Sequence, residues 1–190
     1  NFKETLIGDF ILSSQSKFRL QLLEKIYCVP KKIVPADIDE SPLKKEKPED
    51  YVKRIAKSKA MKVAENYKNE NILAADSIVA LNRQIIQKPH DVEETKTFLK
   101  KYSNKNIRAL TGVCFIKKDG ALILKLVETK IKFKSLNDRD INDSIKYSKN
   151  LSCAGGISIE NFSECLIKKI NGSYSNIVGL PLYEVRNILI

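Results

Sequence analysis

An aspartate stands in the middle of the most strand-like run of the chain, Ile72-Leu73-Ala74-Ala75-Asp76-Ser77-Ile78-Val79-Ala80-Leu81. A carboxylate in such apolar company must be paired with a cation, hydrogen bonded, or used to hold a metal, because an unpaired buried charge is costly. Asp76 is therefore the best single candidate for chemistry, and its other reading is a salt bridge to a core-facing lysine. A second signal lies near the N-terminus, where Ser13-Ser14-Gln15-Ser16 precede Lys17 and Arg19. A helix start offers free backbone N–H groups and the positive end of the macrodipole, so cations in its first turn suit a bound anion such as phosphate. The alternative is a serine-rich cap with two solvated cations. Lys59 falls on the apolar stripe of a helix-patterned segment between Ala56 and Val63, where it either snorkels past the core or is held toward a cleft.

Several elements must position these groups. Phe10-Ile11-Leu12 ends a strand, and Leu20, Leu22, Leu23 and Ile26 then recur at helical spacing. From Pro35 to Pro48 three prolines and the acidic cluster Asp37, Asp39, Glu40 predict a loop. Val52, Ile55, Ala56, Ala60, Val63 and Tyr67 predict a long helix after Pro48. Asn82-Arg83 makes a turn, Ile85-Ile86-Gln87 returns as a strand, and Lys88-Pro89 ends it. Asp91 and Glu94 have capping-box spacing ahead of Phe98, Leu99 and Tyr102, with His90 as a loop residue. Leu110–Ile116 and Ala121–Phe133 form a hairpin through the Asp119-Gly120 turn, followed by a helix around Asp138–Tyr147, a strand over Cys165–Ile170 and a last helix after Pro181. Strands in both parallel-like and hairpin order predict a mixed sheet of the α/β (mixed α+β) class.

Composition narrows the function classes. The 190 residues carry 43% hydrophobic and 30% charged side chains, enough for the core of one folded domain spanning 1–190. No apolar run approaches the roughly 20 residues of a membrane span. Cysteines 28, 114, 153 and 165 form no CxxC pair and His90 is the one histidine, so a structural zinc site lacks its ligands. With no secretory leader evident, they are expected to be reduced thiols of a cytoplasmic protein. The net charge of +11 invites a polyanionic partner. GxGxxG, a Walker A lysine and the known nucleic-acid-reading modules are all missing, so the motifs leave open which polyanion is bound.

Four segments resemble one family in order along the chain: Leu12-Ser13-Ser14-Gln15-Ser16-Lys17-Phe18-Arg19; Asp39-Glu40; Ala75-Asp76-Ser77 with Lys88-Pro89; and Gly172-Ser173-Tyr174-Ser175-Asn176-Ile177-Val178-Gly179-Leu180-Pro181-Leu182. The family is the Maf (septum formation inhibitor-like) nucleoside triphosphate pyrophosphatases. The resemblance implies a Maf/inosine triphosphatase-like elongated mixed sheet flanked by helices, with two lobes and a central cleft. It implies hydrolysis of a nucleoside triphosphate to the monophosphate and diphosphate with Mg²⁺ or Mn²⁺. By position, Ser14, Ser16 and Arg19 match the substrate-binding residues. Glu40, Lys59 and Lys88 match catalytic ones, Asp76 matches the proton acceptor, and Glu40 and Asp76 would hold the metal.

Departures from the common pattern bear on the base. Lys17-Phe18-Arg19 replaces Pro-Arg-Arg, Ser77 replaces a threonine, Glu160 a glutamine and Cys153 a lysine. Cys153-Ala154-Gly155, Glu160 and an aromatic at Phe18 look like the 7-methyl-GTP subgroup rather than the dTTP/UTP subgroup. A cationic methylated ring suits an aromatic face and a nearby carboxylate. Phe18 packing in the core is the alternative. A dTTP/UTP pyrophosphatase, or a regulatory protein of septum formation that binds nucleotide or nucleic acid, are the competing functions, and a homodimer is a possible assembly.

Overall fold

The computed structural model describes residues 6–190. The chain runs β1 (Leu6–Ser13), α1 (Lys17–Lys25), β2 (Cys28–Ile33), α2 (Pro48–Ala64), β3 (Ile72–Leu81), β4 (Gln84–Ile86), α3 (Val92–Tyr102), β5 (Asn106–Ile116), β6 (Leu122–Phe133), α4 (Asp138–Tyr147), β7 (Ile167–Asn171), α5 (Tyr174–Val178) and α6 (Leu182–Leu189). One seven-stranded sheet has the order β2-β1-β3-β5-β6-β7, with β4 paired to β3. β1 is parallel to β2 and β3, and the remaining pairs are antiparallel, so the sheet is mixed. No helix among the described residues is long and apolar enough to cross a membrane.

The period of two along β3 sorts its side chains between two layers. Even-numbered Ile72, Ala74, Ile78 and Ala80 meet α2, through Tyr51, Val52, Ile55, Ala56, Ala60 and Val63. Odd-numbered Leu73, Ala75 and Val79 face the other side, toward Leu22 and Leu23 of α1 and Val185 of α6 at one end, and Phe98, Leu99 and Ile141 of α3 and α4 at the other. Asp76 therefore looks toward α2, and Ser77 toward α1. Gly112 stands opposite Asp76 across the β3–β5 ladder. A Cβ there would lie 2.2 Å from the Val52 carbonyl oxygen, so glycine lets α2 lie close on the sheet beside Asp76.

Some boundaries differ from the sequence reading for physical reasons. Residues 162–166 form a 3₁₀ turn, so β7 starts at Ile167 and Cys165 is not a strand residue. α2 ends at Ala64, and Tyr67 packs beyond it against the same cluster. Gln87 follows β4 rather than belonging to it. β5 begins at Asn106, four residues before the apolar run, because polar Asn106 and Arg108 alternate with Ile107 and Ala109, which are in the core. Asp91 caps α3 by accepting from Glu94 N, but the Glu94 carboxylate accepts from His90 N rather than from the cap residue. A full capping box forms instead at α4, between Asn137 and Asp140.

Candidate active site

The end of β1 and the start of α1 build one wall of a cleft of about 520 Å³. Ser16 caps α1 by accepting from Arg19 N, and Ser14 Oγ accepts from Ser16 N at 3.1 Å. The first turn of α1 contains no acid to compete for its free N–H groups. Arg19 is buried and fully oriented. Its Nε donates to the Gly179 carbonyl at 2.8 Å, one terminal nitrogen to Ser14 Oγ at 3.1 Å, and the other to Ser77 Oγ at 3.0 Å. Three of its five N–H groups are thus engaged by the protein, and one remains on each terminal nitrogen. Burial draws the guanidinium pKa down from its ordinary value, against the pull of Asp76 and Glu40.

The Gly179 carbonyl is placed by α5, an element absent from the sequence reading. Ser173 caps it, and Asn176 stitches it to the sheet by donating to the Ala109 and Val127 carbonyls and to Thr129 Oγ1. Gly179 closes the helix at φ 134°, in the region that favours glycine. The long motif Gly172–Leu182 therefore reaches the cleft at Val178 and Gly179, and holds Arg19 through the Gly179 carbonyl. Ser77 Oγ also lies 2.9 Å from Thr111 Oγ1, which ties Arg19 to β5.

The facing wall comes from α2, β3 and the loop 34–47. Lys59 is held toward the cleft, 2.9 Å from Asp76 Oδ1 and 3.0 Å from Glu40 Oε1, rather than snorkelling past the core. The two readings of Asp76 meet here, because it is both salt-bridged and a cleft residue. Burial pushes the Asp76 carboxyl above its ordinary value, opposed mainly by Lys59 and Arg19. Lys88, after β4, completes the ring, with its pKa lowered by burial and then by Arg19.

The structure brings Ser14, Ser16, Phe18, Arg19, Glu40, Lys59, Asp76, Ser77 and Lys88 to this one cleft. Phe18 is half-buried and lines it, so the ring is not a core residue. Glu160 does not line it; its carboxylate is 3.4 Å from Lys25 Nζ at the end of α1. Tyr51 and Gln87 also line the cleft; the sequence reading passes over Tyr51 and takes Gln87 only as a strand residue. Cys153 lies there too, with its thiol pKa raised by burial.

The donor set fits a hard cation that brings its own ligands. No group of three or more His, Cys, Asp or Glu side chains among the described residues is arranged to hold a metal. Two carboxylates that both reach one ammonium lie within reach of a common ion. Mg²⁺ commonly takes one or two carboxylates and fills the rest of its shell with water and substrate phosphate.

A family model described as Maf-like protein matches residues 9–190. The nucleoside triphosphate pyrophosphatase of Rickettsia typhi is 43% identical over 183 residues, covering 94% of this chain and 81% of that protein. The dTTP/UTP pyrophosphatase of Zymomonas mobilis is 40% identical over 184 residues, covering 97% of this chain and 91% of that protein. A crystal structure of a nucleoside-triphosphatase / dITP/XTP pyrophosphatase from Mycobacterium abscessus aligns at 13% identity with a TM-score of 0.47, over 94% of this chain and 90% of that one.

Proposed function

The chain belongs to the Maf-like protein family, and on that premise we propose that its cleft hydrolyses a nucleoside triphosphate to the monophosphate and diphosphate. The observation that carries this is the convergence of three cations, Arg19, Lys59 and Lys88, on a buried carboxylate in one open cleft. The triphosphate lies along the start of α1, where Ser14, Ser16, the free N–H groups and the two remaining donors of Arg19 meet its oxygens. Lys59 and Lys88 neutralise it as point charges. Asp76 accepts the proton of the water that attacks the α-phosphorus, and the bond to the β-phosphate breaks with diphosphate as the leaving group. Glu40 and Asp76 would hold Mg²⁺ or Mn²⁺, which supplies charge neutralisation and a more acidic water.

The finer assignment is a modified purine such as 7-methyl-GTP. Phe18 lines the cleft one residue from Arg19, and an aromatic face attracts a cationic ring by about 0.5–2 kcal/mol. Glu160 meets the base edge only after leaving Lys25, a small cost for an exposed pair. The similarity to the Zymomonas mobilis enzyme favours a second reading, dTTP or UTP. Comparing kcat/KM for 7-methyl-GTP, dTTP and UTP decides between them. The purine reading expects 7-methyl-GTP to lead and Phe18→Arg to erase its lead; a clear preference of the wild type for dTTP or UTP overturns it.

A further inference from the structure

We propose that the Tyr51 hydroxyl is the positioning group of this site, fixing relative to one another the three segments that carry Glu40, Lys59 and Lys88. The inference rests on the pyrophosphatase reading and extends it to a residue that makes no use of chemistry itself. Tyr51 is fully buried at the start of α2. Its hydroxyl donates to the Glu40 main-chain carbonyl at 2.8 Å and accepts from Gln87 Nε2 at 2.6 Å.

Each partner leads directly to a charged group of the cleft. Glu40 sits in the loop 34–47, which has no strand or helix ladder of its own. Before Glu40 the loop rests on α2 only through apolar packing of Val34, Ala36 and Ile38, and the Glu40 carboxylate itself meets Lys59; after it, Arg54 binds both carboxylate oxygens of Glu46, at 2.6 and 2.8 Å, and the Ser41 carbonyl at 3.0 Å. Gln87 immediately precedes Lys88. Lys59 follows Tyr51 by two helical turns on the same face of α2, through Ile55. One hydroxyl thus joins loop, helix and strand end at the point where their charges must converge.

The hydrogen-bond inventory makes the arrangement directional. A phenol has one proton, and a carbonyl can only accept it, so Gln87 must present its NH₂ rather than its oxygen. The one phenol proton is committed to the Glu40 carbonyl, which separates positioning from acid–base work. Displacing a catalytic group by about 1 Å costs on the order of 100-fold in rate.

The test measures diphosphate release with Mg²⁺, together with thermal melting, for the wild type, Tyr51→Phe and Gln87→Leu, and for Tyr51→Phe on a Glu40→Gln background. Tyr51→Phe keeps the ring and is expected to lower kcat by about 10- to 100-fold with KM changed by less than about threefold. On the Glu40→Gln background the same change is expected to add a clearly smaller loss than it causes in the wild type, because one of the three groups it positions is already gone. Gln87→Leu is expected to lower kcat in the same direction by less. A Tyr51→Phe enzyme with unaltered kcat overturns the inference, as does an undiminished further loss on the Glu40→Gln background. If Tyr51→Phe fails to fold, Gln87→Leu decides, and a wild-type kcat for it overturns the inference. A wild type that hydrolyses no nucleotide removes the pyrophosphatase reading and this inference together, whereas an active wild type with an equally active Tyr51→Phe removes this inference alone.

Discussion

The two walls of the cleft hold positive charge in opposite ways. On the α1 wall, Arg19 is clasped by Ser14, Ser77 and the Gly179 carbonyl, none of them charged. On the α2 wall, the Lys59 ammonium is held by Asp76 and Glu40. A planar fork locked by neutral acceptors stays put whether or not substrate is present, while an ammonium held by two carboxylates can exchange them for phosphate oxygens. The arginine wall is a preformed seat, and the lysine wall is where charge is redistributed during the reaction.

The largest expected break in that contrast is Asp76→Asn. It removes the proton acceptor and is expected to lower kcat by about 10²- to 10⁴-fold, with circular dichroism unchanged. Wild-type rates in that variant would mean that the base lies elsewhere.

The next pair compares the walls directly. Arg19→Lys breaks the clasp and is expected to cost about 2–3 kcal/mol in urea unfolding, with a raised KM. Lys59→Gln is expected to act mainly on kcat, and its stability effect to depend on pH. The folded-state pKa of Asp76 already lies above the ordinary 3.8, so the folded protein binds more protons there than the unfolded chain. Stability linked to this group is therefore present at low pH and lost as pH rises from 3.8 through the folded value. Removing Lys59 raises that value further, so the decline in metal-free urea melts should extend to higher pH in Lys59→Gln than in wild type and vanish in Asp76→Asn. A Lys59→Gln protein with the wild-type pH profile would contradict the pairing.

The smallest effect concerns the loop that carries Glu40. Glu46, mostly buried, has its pKa lowered chiefly by Arg54. A lowered carboxylate contributes stability that is present above the unfolded value, near 4.5, and is lost as pH falls through the folded one. Glu46→Gln should cost about 1 kcal/mol at neutral pH and flatten the acid side of the melting profile. An unchanged profile would mean that the pair does not hold the loop.

What was legible in the sequence follows from how each element is stabilised. β3, the β5–β6 hairpin and α4 are marked by apolar runs, an Asp-Gly turn and Asp-rich starts, signals that act within a few residues. α5 is five residues long, too short to show a helical period between its Ser173 cap and Gly179 stop, and it is held by Asn176 bonding to β5 and β6, a tertiary cause. The site divides the same way. Asp76 is conspicuous because a charge interrupts an apolar strand, and Lys59 because it breaks an apolar stripe. Tyr51 and the Gly179 carbonyl are invisible, since an aromatic on a buried stripe looks like core and a backbone oxygen has no letter. Glu160 was placed at the base by resemblance, and in the structure its neighbour is Lys25.

The central claim is cleavage between the α- and β-phosphates in this cleft. Phosphorus NMR of the products formed by the wild-type protein with Mg²⁺ and a panel of nucleoside triphosphates tests it most directly. The account predicts nucleoside monophosphate and diphosphate ion in equal amounts. Nucleoside diphosphate with orthophosphate, or no product from any nucleotide, would contradict it.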